Sequence, residues 1–384
     1  MLCAAMVWKL SISASKVQVP PVRYLLIRSE ILGECAHHIE DRQMNNCHCK
    51  ACSFFFAIMV AVILVSQANE LALAQSKDDI SIGYASPSGM FTPLFIAQER
   101  ALFKKYGLAV KELLLLRGTG PAAAQMLVAG TAPIAGLGGA LVEAGMHGGG
   151  LVYIASMSNQ LIFSLYSRAE IARPEDLRGK TVAVDAKGGS IELATIVALK
   201  QFGLTVGKDV TEVYLGGPVS QLGALEKGIV DAATLSAPTT LKAKGMGLKE
   251  LINIGALKLN YIHAAIGVNR AFAKNNPEMI DAFLKAYIEG IKMMREEPEL
   301  ARQAIAKYTG INEPDALKVT YETFLPAFQQ RVPYVLRDSV QGVLNFSTSP
   351  EAKSQRAEDF IDDSFLQKIE ASSFVKKLYG VAKP

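Results

Sequence analysis

Beyond Cys52 the chain has no cysteine and beyond Trp8 no tryptophan. All five cysteines, Cys3, Cys35, Cys47, Cys49 and Cys52, lie in the first seventh of the sequence, so the remainder has neither disulfide nor thiol chemistry. Histidine is almost as scarce, with only His147 and His263 after residue 48, far apart in sequence. That spacing gives no metal-ligand cluster, and no H-E-x-x-H or G-x-S-x-G segment occurs. Nucleophilic and metal-assisted catalysis therefore lack obvious players. Charge of one sign is missing too. The net charge is +4 with no basic run, which argues against nucleic acid as a partner.

What is present near the N-terminus has the form of an export signal. Residues 51–65 carry no charge, Lys50 precedes them, and Ala72-Leu73-Ala74 follows as a small-residue processing site. Cleavage is expected after Ala74. The strongly apolar part, residues 54–65, is short for a membrane span and Glu70 soon closes it. About fifty residues precede this segment and show neither helical nor strand periodicity. Translation starting at Met44 would make residues 44–74 a signal of ordinary length and residues 1–43 a non-native or disordered extension. The Cys47-His48-Cys49 and Cys52 tract would be discarded with the signal, so no metal is expected there. Losing six Lys/Arg and five Asp/Glu in residues 1–74 leaves a mature charge of +3.

From Asp79 strand and helix patterns alternate, the signature of α/β layers around mainly parallel sheets. Residues 80–84, 110–116 and 132–137 read as strands, the second apolar after Glu112 and expected to be buried. Residues 92–106, with Thr92 and Pro93 at the start and Gly107 as the stop, read as one helix, and residues 121–129 as another. Residues 151–156 and 162–167 continue the first sheet. The alternation restarts after a polar stretch at 169–178, with strands at 181–185, 213–215 and 232–235, and a further strand at 262–269. Beyond it, helices open at Asn276-Pro277, Glu297-Pro298 and Glu313-Pro314. The expectation is two lobes. Residues 75–165 and 262–384 form lobe I with the C-terminal helices, and residues 166–261 form lobe II. The chain crosses between them near 160–168 and 258–266. Two crossings make a hinge, and a hinge implies closure over a cleft.

In open α/β sheets, ligands bind beyond the carboxyl ends of the strands, where amides and helix N-termini converge. Turns rich in small residues fall at those ends. In lobe I they are residues 86–89, 117–120, 136–139 and 156–159, and in lobe II they are 187–190, 216–217 and 236–238. Gly118, Gly120 and Ala123 match G-x-G-x-x-A, but on the second strand and with Glu143 in a helical stretch, so a dinucleotide site is not supported. The same turn serves as a cradle for an anion or amide, with Arg117 offering a planar donor fork. Gly179-Lys180-Thr181 lacks the glycine of a phosphate loop, since Pro174 stands there, and it precedes a strand. His147 and His263 read as structural.

The segments Met90-Phe91-Thr92-Pro93-Leu94-Phe95-Ile96-Ala97, Asp176-Leu177-Arg178-Gly179-Lys180-Thr181-Val182-Ala183-Val184, LEKGIVDA at residues 225–232, and Asn276-Pro277-Glu278 carry a family resemblance. Across about residues 78–380 the sequence resembles the substrate-binding proteins of nitrate, sulfonate, taurine and thiamine-precursor ABC importers, which share a fold with thiamine-pyrimidine synthases. The resemblance implies a type II periplasmic binding protein fold, two α/β lobes joined by two hinge crossings with a ligand cleft between them. It implies a small-molecule ligand, partner permease and ATPase subunits, no cofactor and no catalysis. A monomer in the periplasm is expected. Synthases of this fold use a cysteine-rich stretch and a histidine, and this chain has no mature cysteine. Where many relatives carry an acidic residue and a proline-aromatic pair, it reads Ser236-Ala237-Pro238-Thr239, so the contact there is expected to be hydroxyl-based.

The expected ligand contacts are Ser86, Ser88, Arg117, Gly138 and Ser158 from lobe I and Gly189, Ser190 and Ser236 from lobe II, with Met90 and Phe91 as an apolar wall. An inward Arg117 favours an anionic ligand, an outward one a neutral or aromatic ligand. The alternatives kept open are a thiamine-pyrimidine-synthase-like enzyme and a ligand-sensing module for a membrane signalling partner. Intact-mass measurement of the exported protein is expected to give a chain beginning at residue 75. Any peptide from before Met44 in mature material would overturn the assigned start.

Overall fold

The computed structural model describes residues 79–116, 120–347 and 349–380. The expected signal and the segment before it lie outside these residues, as does Arg117. Two five-stranded mixed sheets organise the described chain. The first is ordered β2-β1-β3-β10-β4, from β1 (Ile80–Tyr84), β2 (Val110–Leu115), β3 (Ile134–Leu137), β4 (Leu151–Gln160) and β10 (Asn260–Asn269). The second is ordered β7-β6-β8-β5-β9, from β5 (Ser164–Ser167), β6 (Lys180–Val184), β7 (Val210–Tyr214), β8 (Ala232–Leu235) and β9 (Lys249–Asn253). In each sheet four strands run in one direction, and the fifth, β10 in the first sheet and β5 in the second, runs against both its neighbours.

Three expectations change. Residues 164–167 do not continue the first sheet, because β5 pairs with β8 and β9. The first crossing is therefore residues 161–163 and the second residues 254–259. β2 is only half-buried, because it forms the sheet edge with one paired neighbour. The helix expected over 92–106 breaks into Thr92–Glu99 and Leu102–Lys105, with Ala101 left-handed at φ 50°. The break turns Leu102 and Phe103 into the core, where Phe103 stacks on Phe283 at 5.9 Å.

β4 also ends its sheet, yet its first eight residues are buried. Other backbone covers its open edge. Ser156 N donates to Pro333 O, Asp362 N donates to Tyr153 O, and the Tyr287 hydroxyl donates to Ser156 O at 2.9 Å. An edge strand covered in this way offers no row of unpaired amides to another chain.

The C-terminal helices follow their sequence signals. Pro277, Pro298 and Pro314 each stand at the first position of a helix, where the missing N–H has no intrahelical partner to lose. The Pro277–Glu296 helix buries Ile280, Phe283, Leu284, Tyr287, Ile291 and Met294, one apolar face at helical spacing. Gly290 lies on that face because a Cβ there would stand 2.4 Å from Pro93 O. Alanine in a helix normally gains nearly 1 kcal/mol over glycine, but here the clash is with backbone that cannot step aside. Gly290→Ala is expected to cost about 1–3 kcal/mol, read as a Tm lowered by a few degrees.

Candidate functional site

The turns after the parallel strands of the two sheets meet. A methyl group placed on Gly138, just after β3, would stand 3.7 Å from Ser190 Cβ and 2.6 Å from His263 O. One placed on Gly188 would stand 3.7 Å from Pro121 Cγ. Gly138 and Ser190, expected on opposite sides of a cleft, are thus brought together. The Ser190 hydroxyl makes no hydrogen bond among the described residues, while Gly138 O accepts from the Tyr153 hydroxyl at 2.7 Å. Ala237 follows Ser236 in the second lobe and packs into the hydrophobic cluster that holds Tyr84 and Phe91 of the first.

Other expected contacts change role. Met90 and Phe91 are 2% and 3% exposed, and Phe91 packs on Tyr84 at 5.7 Å. They are core side chains, not a wall open to ligand. Ser88 caps the Gly89–Phe91 turn, its Oγ accepting from Met90 N at 3.3 Å. Ser86 is exposed on the same turn. Residues 156–159 are not a turn, since β4 runs on to Gln160. Ser158 is buried there, and its hydroxyl donates to Gln160 O at 2.6 Å, which leaves no donor for a ligand. The Gly189 amide is likewise occupied, donating to Ala186 O at 2.8 Å.

Gly189 has a different purpose. A Cβ there would lie 2.3 Å from the Asp185 carboxylate, which folds over the start of the Ser190–Gln201 helix and accepts from Ile191 N at 3.3 Å and Glu192 N at 3.0 Å. Glu192 is 5% exposed and accepts from Gly188 N and, at 2.8 Å, from the Tyr214 hydroxyl. The helix N-terminus, attractive to anions in general, is filled by the chain's own carboxylates. Burial raises Asp185 above the usual carboxylate range. Burial and the nearby Glu192 charge push Glu212 up to about 7.

Ser236 lines a cavity of about 290 Å³ at the hinge, together with Phe163, Ser164, Tyr166, Thr240 and Glu250. Thr323 of the C-terminal helices closes one side. Sequence reasoning found Ser236 but not Tyr166 or Glu250. Glu250 sits on β9, a five-residue strand whose only apolar residues, Leu251 and Ile252, are adjacent and give no period-2 pattern. Asp185 carried a readable signal, an acidic residue at a strand end just before a Gly-Gly-Ser helix start.

His263 stands where the strands cross. Its Nδ1 accepts from Ile162 N at 2.9 Å, and its ring stacks on Phe163 at 4.5 Å. Burial lowers its pKa to about 4, so the ring is neutral with the proton on Nε2. His147, by contrast, is exposed on the Gly145–Gly149 turn.

The family model described as NMT1/THI5 like matches residues 88–301, so the chain belongs to that family. A putative ABC transporter periplasmic binding protein of Brachyspira hyodysenteriae is 25% identical over 167 residues, 44% of this chain and 46% of the relative. The riboflavin-binding protein RibY of Chloroflexus aurantiacus is 26% identical over 144 residues, 37% of this chain and 40% of the relative. The chain therefore matches less than half the length of either. Among solved structures, the alkanesulfonate-binding protein SsuA of Xanthomonas axonopodis pv. citri superposes with a TM-score of 0.59 at 17% identity, covering 77% of this chain and 98% of SsuA. The fold is that of the periplasmic binding proteins.

Unfolded chain takes a proton on histidine near pH 6.5, while folded His263 resists until about pH 4. Stability is therefore lost as pH falls through that window. The raised Glu212 acts in the opposite sense between pH 7 and 4.5. Comparison with His263→Asn isolates the histidine. Wild type is expected to lose on the order of 2–3 kcal/mol more than the variant between pH 6.5 and 4, measured by denaturant unfolding.

Proposed function

We propose that the protein is the periplasmic solute-binding component of an ABC importer, closing two lobes on a small molecule and delivering it to a membrane permease and its ATPase. The observation that carries this reading is the meeting of Gly138 and Ser190 from opposite lobes beside a hydroxyl-lined cavity at a two-strand hinge. Small side chains at the contact let the lobes approach, and two crossing segments let them part.

Two further observations support a carrier that is not an enzyme. Relatives named for their role are binding proteins, and cysteine is missing from the sequence beyond Cys52. Export to the periplasm follows from the leader-like segment ending at Ala74, and the mature chain acts in this reading as a monomer.

A thermal-shift screen of residues 75–384 against sulfonates, nitrate, bicarbonate, aromatic carboxylates, amines, and thiamine and its pyrimidine precursors tests it. A ligand at about a hundred times its Kd is expected to stabilise the fold by roughly 2.7 kcal/mol, a shift of several degrees. Turnover of the bound compound would replace the carrier reading with an enzymatic one.

A further inference from the structure

We infer that the cavity beside Ser236 takes a small organic cation, an ammonium or amidinium compound, selected by Glu250 and Tyr166; this rests on the carrier reading above. Glu250 is the only charged residue lining the cavity among those described. It is an exposed residue at the cavity rim, and one of its oxygens accepts from the Ser164 hydroxyl at 2.7 Å, leaving the other open to solvent or ligand. Tyr166 is 5% exposed, lines the same cavity, and its hydroxyl makes no hydrogen bond there. The hydroxyl oxygen is not itself sealed off among the buried polar atoms, so it is open to a ligand that enters the cavity. Phe163 and Tyr166 supply aromatic rings of the kind that attract ammonium and amidinium groups. The hydroxyls of Ser236 and Thr240 offer further acceptors.

The wider setting disfavours an anion. The amides of Gly188, Ile191 and Glu192, which would cradle one, already serve Glu192 and Asp185. Those three amides are thus held by carboxylates, which lessens the pull of this helix start on an anion. At about 290 Å³ the cavity is at the small end of ligand pockets, which suits a compact amine better than a large ring system.

Isothermal titration of residues 75–384 at pH 8 and low salt, with choline, guanidinium and putrescine as cations and nitrate and methanesulfonate as anions, tests the assignment. Native mass spectrometry of the protein as released from its own periplasm accompanies it. The expected result is binding of an organic cation, or retention of a ligand with a basic nitrogen. Glu250→Gln then weakens binding roughly tenfold, equivalent to about 1.4 kcal/mol, and Tyr166→Phe weakens it less while preserving Tm. Binding of nitrate or methanesulfonate that Glu250→Gln leaves unchanged or strengthens would overturn the ligand class and leave the carrier standing, as would a retained ligand with no basic nitrogen. A protein that retains no small molecule and responds to no probe in this panel or the thermal-shift screen would remove the carrier reading, and this assignment with it.

Discussion

One hydrogen bond, from Ile162 N to Nδ1 of His263 at 2.9 Å, ties together the two strands that cross between the lobes. Ile162 belongs to the outgoing crossing, residues 161–163, and His263 to β10, the strand that receives the returning one. The Phe163 ring lies against the imidazole at 4.5 Å, and His263 O sits against Gly138, where the turn after β3 reaches the second lobe. The bond requires a neutral imidazole, because a protonated Nδ1 cannot accept. Burial supplies that condition, and the hinge is held by an interaction that depends on keeping a charge away.

Around this tie the lobes differ in what they present. The first lobe brings small residues and a dense apolar core, with Met90, Phe91 and Phe95 packed beneath the turns. Acidic groups lie closer to the junction in the second, with Asp185 and Glu192 closing the helix start and Glu250 at the cavity rim. Small residues and carboxylates act jointly. Gly189 must lack a side chain for Asp185 to reach the helix amides, and Gly138 must lack one because the His263 carbonyl oxygen would stand 2.6 Å from it.

Much of the architecture was readable from periodicity. β1 and β8 begin and end where their apolar residues do, and the three Pro-led helices open where a residue without an amide is tolerated. The site was less readable. Ser236 could be placed because a turn residue after a parallel strand must lie at the sheet edge. Ser158 misled for a related reason, since a Ser-rich stretch resembles a turn until neighbouring backbone, here Pro333 and Asp362, buries it as strand. Tyr166 and Glu250 are far apart in the chain, and only the pairing of β5 with β9 brings them to one cavity.

The sequence alone determined the class of fold and the absence of thiol chemistry in residues 53–384, because hydrophobic period and residue inventory are local properties. Tertiary structure decided which donors remain for a ligand. A Gly or Ser turn offers the same amides wherever it stands, and whether Gly189 N, Ser158 Oγ or the amides of Ile191 and Glu192 are free depends on which carbonyl or carboxylate the fold brings within 3 Å or so of them.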